Sequence, residues 1–258
     1  MIYEMEKREN AASVFAGWEE TMIWSCLQGV MGRIYATEKE NPCSAVAMLG
    51  DFCFYAGKPD GELAAFLPEP QQRGFLIAVP QNRGWAELLE KHYGDSAKKV
   101  VRYAMKKEPD VFDRAKLEDI IGQLPSDYTI APVDEAVFHY CKKEAWCRDL
   151  VAQFDDWQTY QRLGAGVVVK KDGSPVSGAS SYSAYYGGIE IEIDTKEEYR
   201  RKGLASACGA ALILECRKRG LYPGWDAQNL WSRALAEKLG YHFDYAYDAY
   251  EITFEAAE

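Results

Sequence analysis

The sequence predicts a mixed α/β protein with two parts, and three observations support this class. The chain has 258 residues, of which 48% are apolar, and this is enough to form one large core or two modest ones. Short apolar runs typical of strands alternate along it with amphipathic helical periods. A charged stretch over residues 106–113, interrupted by Pro109, has no apolar period and indicates a boundary. We therefore predict a mixed α/β domain over residues 1–112 and a second domain over residues 113–258.

The first half contains both kinds of element. Helices are predicted where apolar residues recur at helical spacing, and strands where short apolar runs are bounded by turn residues such as Gly50 and Asp51. The predicted elements are a helix over 11–28, a hairpin of 44–49 and 52–56, a strand over 75–79, a helix over 85–93 and a strand over 100–105.

The second half continues with a longer alternation. Its clearest helix begins after Gly203 and ends at Gly220, with three cations in the last turn, where positive charge suits the helix dipole. The predicted elements are helices over 115–124, within 135–154, over 204–219 and over 230–239, strands over 128–130, 166–169, 176–185, 188–194 and 221–226, and an aromatic pair of strands within 241–254.

The charge balance argues against nucleic acid as a partner. The chain has 30 Lys plus Arg against 40 Asp plus Glu, a net charge of −10. Such a surface repels phosphate backbones, whereas cationic amines suffer no penalty.

The cysteines and histidines favour a metal-free protein of a reducing compartment. The seven cysteines include no Cys-x-x-Cys pair, and the three histidines are too widely spaced for a zinc site. The first residues are charged where a signal peptide needs an apolar segment, and the longest weakly polar run, 204–214, is shorter than the ~20 residues of a membrane span. We expect a cytoplasmic protein without a membrane partner.

One loop before a predicted helix has the composition of an anion site. Its residues form an Arg-x-x-Gly-x-Ala pattern: Arg200, Arg201, Lys202, Gly203, Leu204 and Ala205. A helix N-terminus has unpaired N–H groups and partial positive charge, and a glycine lets a phosphate approach the backbone. A pyrophosphate would fit there. The alternative is a basic, glycine-containing loop that merely precedes a helix.

This pattern resembles the signature of the GNAT superfamily of acyl-CoA-dependent N-acyltransferases. A second motif follows in the family's order, with Asn229, Ser232, Leu235, Gly240 and Tyr241 resembling its Asn-x-x-Ala/Ser-x-x-Leu helix and Gly-Phe/Tyr end. The resemblance covers about residues 125–254 and leaves the first half outside. More narrowly, residues 190–241 resemble a bacterial subgroup that includes zwittermicin A resistance proteins.

The resemblance implies a fold and a cofactor site. The fold is a GNAT-type mixed, mostly antiparallel twisted sheet flanked by helices, here with an additional N-terminal α/β domain that is either unrelated or a degenerate copy. Acetyl-CoA would lie where the fourth and fifth strands separate, with its pyrophosphate on the loop of Arg200 to Ala205. The pantetheine would pair along Ile191 and Ile193, with Asn229 and Ser232 on the other side. Members of the family often have a tyrosine directly after the helix leucine, where it acts as general acid to the departing thiolate. This chain has Ala236 at that position.

Three carboxylates mark the predicted reaction site. Strand alternation places Glu190, Glu192 and Asp194 on one face, about 7 Å apart, where their repulsion raises carboxyl pKa values and attracts a cationic amine. We favour Glu192 as the general base, with Glu190 as the second candidate and Asp194 as an acceptor contact. The alternative is that this face pairs with basic side chains. Asp226 either orients the acceptor or caps the next helix.

These features predict an acetyl-CoA-dependent N-acetyltransferase that acts on a primary amine of a small molecule by direct attack. The alternative is a catalytically silent acyl-CoA-binding or partner-binding module of the same fold, motivated by Ala236. The sequence carries no signal for oligomeric state.

Overall fold

The computed structural model describes residues 1–68 and 74–254, and its chain forms two compact units. The first unit comprises Met1–Arg102 together with the described residues from Ala246 onward, and the second comprises Tyr103–Tyr245. These compact units do not test the predicted division into two independently folding domains near residue 112, which stays a prediction.

The first unit is a strand-rich α/β unit with its own apolar core. Its strands β1 to β4 pair antiparallel in sequence order, β4 and β5 are parallel, and β5 pairs antiparallel with the end of β13. The core includes the buried side chains of Tyr55, Leu76 and Trp85. The elements are β1 (Tyr3–Glu4), α1 (Thr21–Gln28), β2 (Arg33–Ala36), β3 (Ser44–Leu49), β4 (Phe52–Gly57), α2 (Gly61–Ala64), β5 (Phe75–Pro80), α3 (Arg83–Tyr93) and most of β6 (Ala97–Met105), with 3-10 turns at Arg8–Ala11 and Gly94–Ser96.

The second unit contains a five-stranded sheet. Its elements are α4 (Arg114–Gly122), β7 (Tyr128–Pro132), α5 (Glu135–Lys143), a 3-10 turn (Ala145–Leu150), α6 (Trp157–Leu163), β8 (Gly166–Lys171), β9 (Ser174–Tyr185), β10 (Gly188–Thr195), a 3-10 turn (Glu197–Tyr199), α7 (Leu204–Lys218), β11 (Tyr222–Gly224), β12 (Asp226–Ala227), α8 (Leu230–Leu239) and the start of β13 (Phe243–Thr253). The strand order is β11-β10-β9-β8-β7. The β10 and β11 strands are parallel, whereas the other neighbours in this sheet are antiparallel.

Helices cover both faces of this sheet. On one face, a Cβ at Gly209 of α7 would meet the side chain of Ile193. On the other face, a Cβ at Gly178 would meet Leu150 of the 3-10 turn Ala145–Leu150, and the Tyr160 hydroxyl lies 2.7 Å from Ser180 Oγ. The central strands β9 and β10 are therefore sandwiched, which explains why β9 is buried along nearly its whole length.

Several predicted elements differ from the structure. The helix predicted over 11–28 begins only at Thr21, because Gly17 has a φ of 76° and the Glu20 side chain caps the helix start. The strand β2 and the helices α2 and α6 have no predicted counterpart. The strand predicted over 221–226 is two strands that pair with different partners, and the aromatic segment 241–254 forms one strand instead of two.

Candidate functional site

Strands β10 and β11 part at a defined point. Their parallel pairing joins Gly188 to Tyr222 and ends with Glu190 opposite Gly224. After Trp225 the chain of β12 pairs with β6 instead, with Asp226 opposite Ala104. In the part of the chain that the structure describes, β10 continues to Thr195 with β9 as its one ladder partner. Residues 191–195 thus form an open strand edge beside the point of separation.

The predicted pantetheine-pairing residues lie on this open edge. Ile191 and Ile193 are half-buried, and their side chains pack against the core that includes α7. The Ile193 N–H donates to Glu192 Oε1 at 3.2 Å, so the Glu192 side chain occupies this backbone donor. An open edge of this kind offers backbone groups to an extended amide-containing chain.

Helix α7 begins without a side-chain cap. Its N-cap residue is Gly203, with a φ of 82° and no side chain to accept from the first-turn N–H groups. The other seven α-helices of the described residues have a capping side chain that accepts from their first-turn amides: Glu20, Asp60, Asn82, Asp113, Asp134, Asp156 and Asn229. The first-turn N–H groups at the positive dipole end of α7 therefore have no capping side chain, which is the kind of helix start that suits an anion.

The surroundings of this helix start are open and basic. A Cβ placed on Gly203 would meet no atom within 4 Å, and Arg201 also has a positive φ, of 60°. The side chains of Arg200, Arg201 and Lys202 are exposed. Arg200 Nε donates to the Thr195 carbonyl at 3.2 Å and ties the loop to the end of β10. Leu204 is buried and anchors the helix start, and Ala205 is half-buried behind it.

The three predicted carboxylates lie in different environments. Glu190 is 4% exposed, whereas Glu192 and Asp194 are half-buried. The ladder is irregular between Glu190 and Ile191, because Ser183 lies opposite the first and Ser181 opposite the second, which leaves one extra residue on β9. Because the extra residue is on β9, the alternation along β10 is not interrupted, and the common face of Glu190, Glu192 and Asp194 stays a prediction.

The pKa of Asp194 is raised above its ordinary value. Burial, followed by the charge of Asp149, raises this pKa to about 6 against the opposing effect of the Arg200 guanidinium. Asp149 belongs to the 3-10 turn Ala145–Leu150, and no sequence motif marks it. A partly protonated carboxyl near neutral pH is a common feature of reaction sites.

Asn229 and Ser232 have structural hydrogen bonds at the start of α8. Asn229 Oδ1 accepts from the Ser232 N–H at 2.9 Å and caps the helix, and Ser232 Oγ accepts from Trp225 Nε1 at 3.1 Å. Asp226 does not cap this helix, since Asn229 does. Asp226 instead lies in the short strand β12, half-buried beside the strand separation.

Ala236, at the position of the family's tyrosine, faces the protein core. It is fully buried and packs in one cluster with Leu239 and Tyr241. Nearby phenols are held by backbone groups: the Tyr241 hydroxyl donates to the Pro223 carbonyl at 2.7 Å, and the Tyr222 hydroxyl donates to the Lys106 carbonyl at 3.0 Å. Burial raises the pKa of Tyr222 to about 12.

The described residues contain no cluster of three or more His, Cys, Asp or Glu side chains that could hold a metal ion. The same residues include no helix long and apolar enough to cross a membrane.

A strand separation and an uncapped, glycine-led helix are the two features that the resemblance to the GNAT family implies for the cofactor site. The family model described as GNAT acetyltransferase matches residues 12–250. The chain belongs to the GNAT acetyltransferase family. The match also extends the family relationship into the first half, which the sequence motifs leave outside.

Known members of the GNAT family agree with this membership. A crystal structure of a GCN5-related N-acetyltransferase-like protein from Streptococcus suis is 45% identical, with a TM-score of 0.90 over 96% of this chain and 98% of that one. An uncharacterized N-acetyltransferase of Bacillus subtilis, YdfB, is 26% identical over 252 residues, which is 86% of each protein. A GCN5-related N-acetyltransferase from Kribbella flavida shares the fold, at 18% identity and a TM-score of 0.51 over 82% of this chain and 86% of that one.

The comparison confirms the predicted fold class, a mixed α/β GNAT fold with mostly antiparallel sheets flanked by helices. Family membership supports an acyltransferase.

Proposed function

We propose that the protein is an acetyl-CoA-dependent N-acetyltransferase that transfers the acetyl group to a primary amine of a small molecule. The observations that carry this proposal are the uncapped start of α7 and the separation of β10 and β11, and the Arg200 hydrogen bond to Thr195 ties the α7 loop to the end of β10. The start of α7 offers N–H donors for a pyrophosphate, and the open edge of β10 offers backbone groups for the pantetheine.

The proposed binding residues lie at these two places. The N–H groups from Arg201 to Ala205 would receive the pyrophosphate, and the exposed cations of the loop would add charge that the acidic chain otherwise lacks. Ile191 and Ile193 would pair with the pantetheine amides. Asn229 would contact the cofactor through its amide nitrogen, since its Oδ1 is occupied by the α8 cap.

The reaction is a direct displacement in a ternary complex. The amine nitrogen forms a bond to the thioester carbonyl carbon, the carbon–sulfur bond breaks, and the sulfur leaves as a thiolate that takes up one proton. A backbone donor at the strand separation would stabilise the charge that develops on the carbonyl oxygen.

A carboxylate would remove the proton that the amine loses. Glu192, half-buried at the open edge, or Glu190, at the end of the β10–β11 ladder, would accept it through a water molecule. Such a base contributes roughly 10² to 10⁴ in rate. Asp194 and Asp226 would hold the cationic part of the acceptor.

The acceptor is proposed to be a cationic amine. The carboxylates of Glu192, Asp194 and Asp149 would attract it, and the resemblance of residues 190–241 to zwittermicin A resistance proteins favours an antibiotic amine among the candidates.

The alternative is a catalytically silent acyl-CoA-binding module of the same fold. The burial of Ala236 favours it, because no phenol at that position can protonate the leaving thiolate. Both functions require coenzyme A to bind, but only the enzyme predicts turnover of acetyl-CoA in the presence of an amine.

The test is a thiol-release assay with acetyl-CoA and a panel of spermidine, glucosamine, lysine and kanamycin. The proposed function requires release of free coenzyme A that depends on one of these amines and yields the N-acetylated product by mass spectrometry. Coenzyme A binding without amine-dependent release from any of the four would instead establish the silent module.

A further inference from the structure

Strand β9 carries four buried serines, and three of them have evident hydrogen bonds. Ser177 Oγ lies 2.7 Å from Thr195 Oγ1, Ser180 Oγ lies 2.7 Å from the Tyr160 hydroxyl, and Ser181 Oγ accepts from the Ala165 N–H at 2.9 Å. Ser183 is fully buried, and its Oγ has no hydrogen-bond partner among the residues that the structure describes. A buried hydroxyl without a partner costs free energy, so its retention calls for a physical reason.

The position of Ser183 supplies that reason. It lies directly opposite Glu190 in the antiparallel ladder, and Glu190 in turn lies opposite Gly224, the last paired residue of β11. Partners across a ladder have side chains on the same face, with Cβ atoms about 5 Å apart. Ser183 and Glu190 therefore lie on the same face of the sheet at the point where the strands separate.

A serine hydroxyl at this position can do what a carboxylate cannot. It offers two acceptor lone pairs and one donor, and it does so without adding a second charge next to Glu190. An attacking primary amine has two N–H groups besides its reactive lone pair. One hydrogen bond to a fixed oxygen orients that lone pair toward the carbonyl carbon, and holding the reacting atoms in this geometry raises the rate.

We propose that Ser183 binds the acceptor of the transfer reaction, with its Oγ accepting a hydrogen bond from the amine N–H. This inference rests on the proposed function and adds a residue to its acceptor site. The second N–H of a primary amine remains for the water or carboxylate that takes the proton. A secondary amine has a single N–H, so Ser183 also favours primary over secondary amines.

The test compares Ser183→Ala with Ser181→Ala, which removes a neighbouring buried hydroxyl of the same strand. Each variant is assayed for thiol release with the amine that the wild type uses best and with its N-methyl derivative, and thermal unfolding is followed in parallel. We expect Ser183→Ala to lower kcat/KM for the primary amine at least tenfold and to leave KM for acetyl-CoA unchanged. Its preference for the primary amine over the N-methyl derivative should shrink.

Stability provides an independent readout. Because the Ser183 hydroxyl has no partner to lose among the described residues, Ser183→Ala should leave the melting temperature unchanged or raise it. Ser181→Ala loses its bond to the Ala165 N–H and should melt lower, with kcat/KM unchanged. Full activity of Ser183→Ala, or a loss of stability matching that of Ser181→Ala, would overturn the inference.

The outcomes also separate this inference from the function on which it rests. A wild type that releases thiol with no amine of the panel contradicts the proposed function. An active wild type with an equally active Ser183→Ala contradicts the role of Ser183 alone.

Discussion

Asp194 is expected to destabilise the folded protein at neutral pH. Its pKa rises from 3.8 to about 6 on folding, chiefly through burial and the neighbouring charge of Asp149. The folded state therefore binds the proton more tightly than the unfolded chain. The resulting stability is present below pH 3.8 and is lost as the pH rises through 6.

The size of this effect follows from the pKa difference. A difference of one pKa unit corresponds to about 1.4 kcal/mol. Above pH 6, the ionised carboxylate therefore lowers the free energy of unfolding by about 3 kcal/mol. Asp194→Asn keeps the shape of the side chain and removes the charge. Relative to the wild type, the variant should gain up to about 3 kcal/mol at about pH 7.5 and much less at about pH 4.

The measurement is urea unfolding at both pH values, followed by the fluorescence of the seven tryptophans. Asp149→Asn serves as the companion variant, because removing that charge should lower the pKa of Asp194 and move the loss of stability to lower pH. An Asp194→Asn difference of the same size at the acidic and the neutral pH would refute the reasoning.

Two further predictions concern α8. Asn229→Ala removes the acceptor for the Ser232 N–H and should lower the free energy of unfolding by about 0.5–2 kcal/mol in urea titrations, and an unchanged midpoint would contradict the cap. Ala236→Tyr restores the residue type common in the family, but the position is fully buried. It should therefore destabilise the protein by about 1–3 kcal/mol or more without raising the rate of thiol release, and a stable, faster variant would show that the position faces the site.

The elements around the cofactor loop can be predicted closely from the sequence. The pattern predicts α7 over 204–219 and the helix spans Leu204–Lys218, and it predicts β10 over 188–194 and the strand spans Gly188–Thr195. Local signals decide these boundaries, since Gly203 and Gly220 both adopt positive φ at the ends of α7.

Other features depend on tertiary contacts that no local pattern records. The segment 221–226 has the pattern of one apolar strand, but its two halves pair with different strands on either side of Trp225. The uncapped state of α7 is informative because the other described α-helices are capped, and only the folded structure reveals that contrast. Ser183 gives no signal in the sequence because a serine-rich strand lacks an apolar pattern, although four of its serines are fully buried.

The most direct test of the central claim is a calorimetric titration of coenzyme A into two glutamate variants. Gly203→Glu places a carboxylate at the α7 start, whereas Gly173→Glu makes the same change in the turn between β8 and β9. The two glycines have φ angles of 82° and 81°, and a Cβ on either one would meet no atom within 4 Å, so the backbone strain is matched. We predict that Gly203→Glu weakens binding at least tenfold while Gly173→Glu binds like the wild type, and equal affinities of the two variants would contradict the placement of the pyrophosphate at this helix.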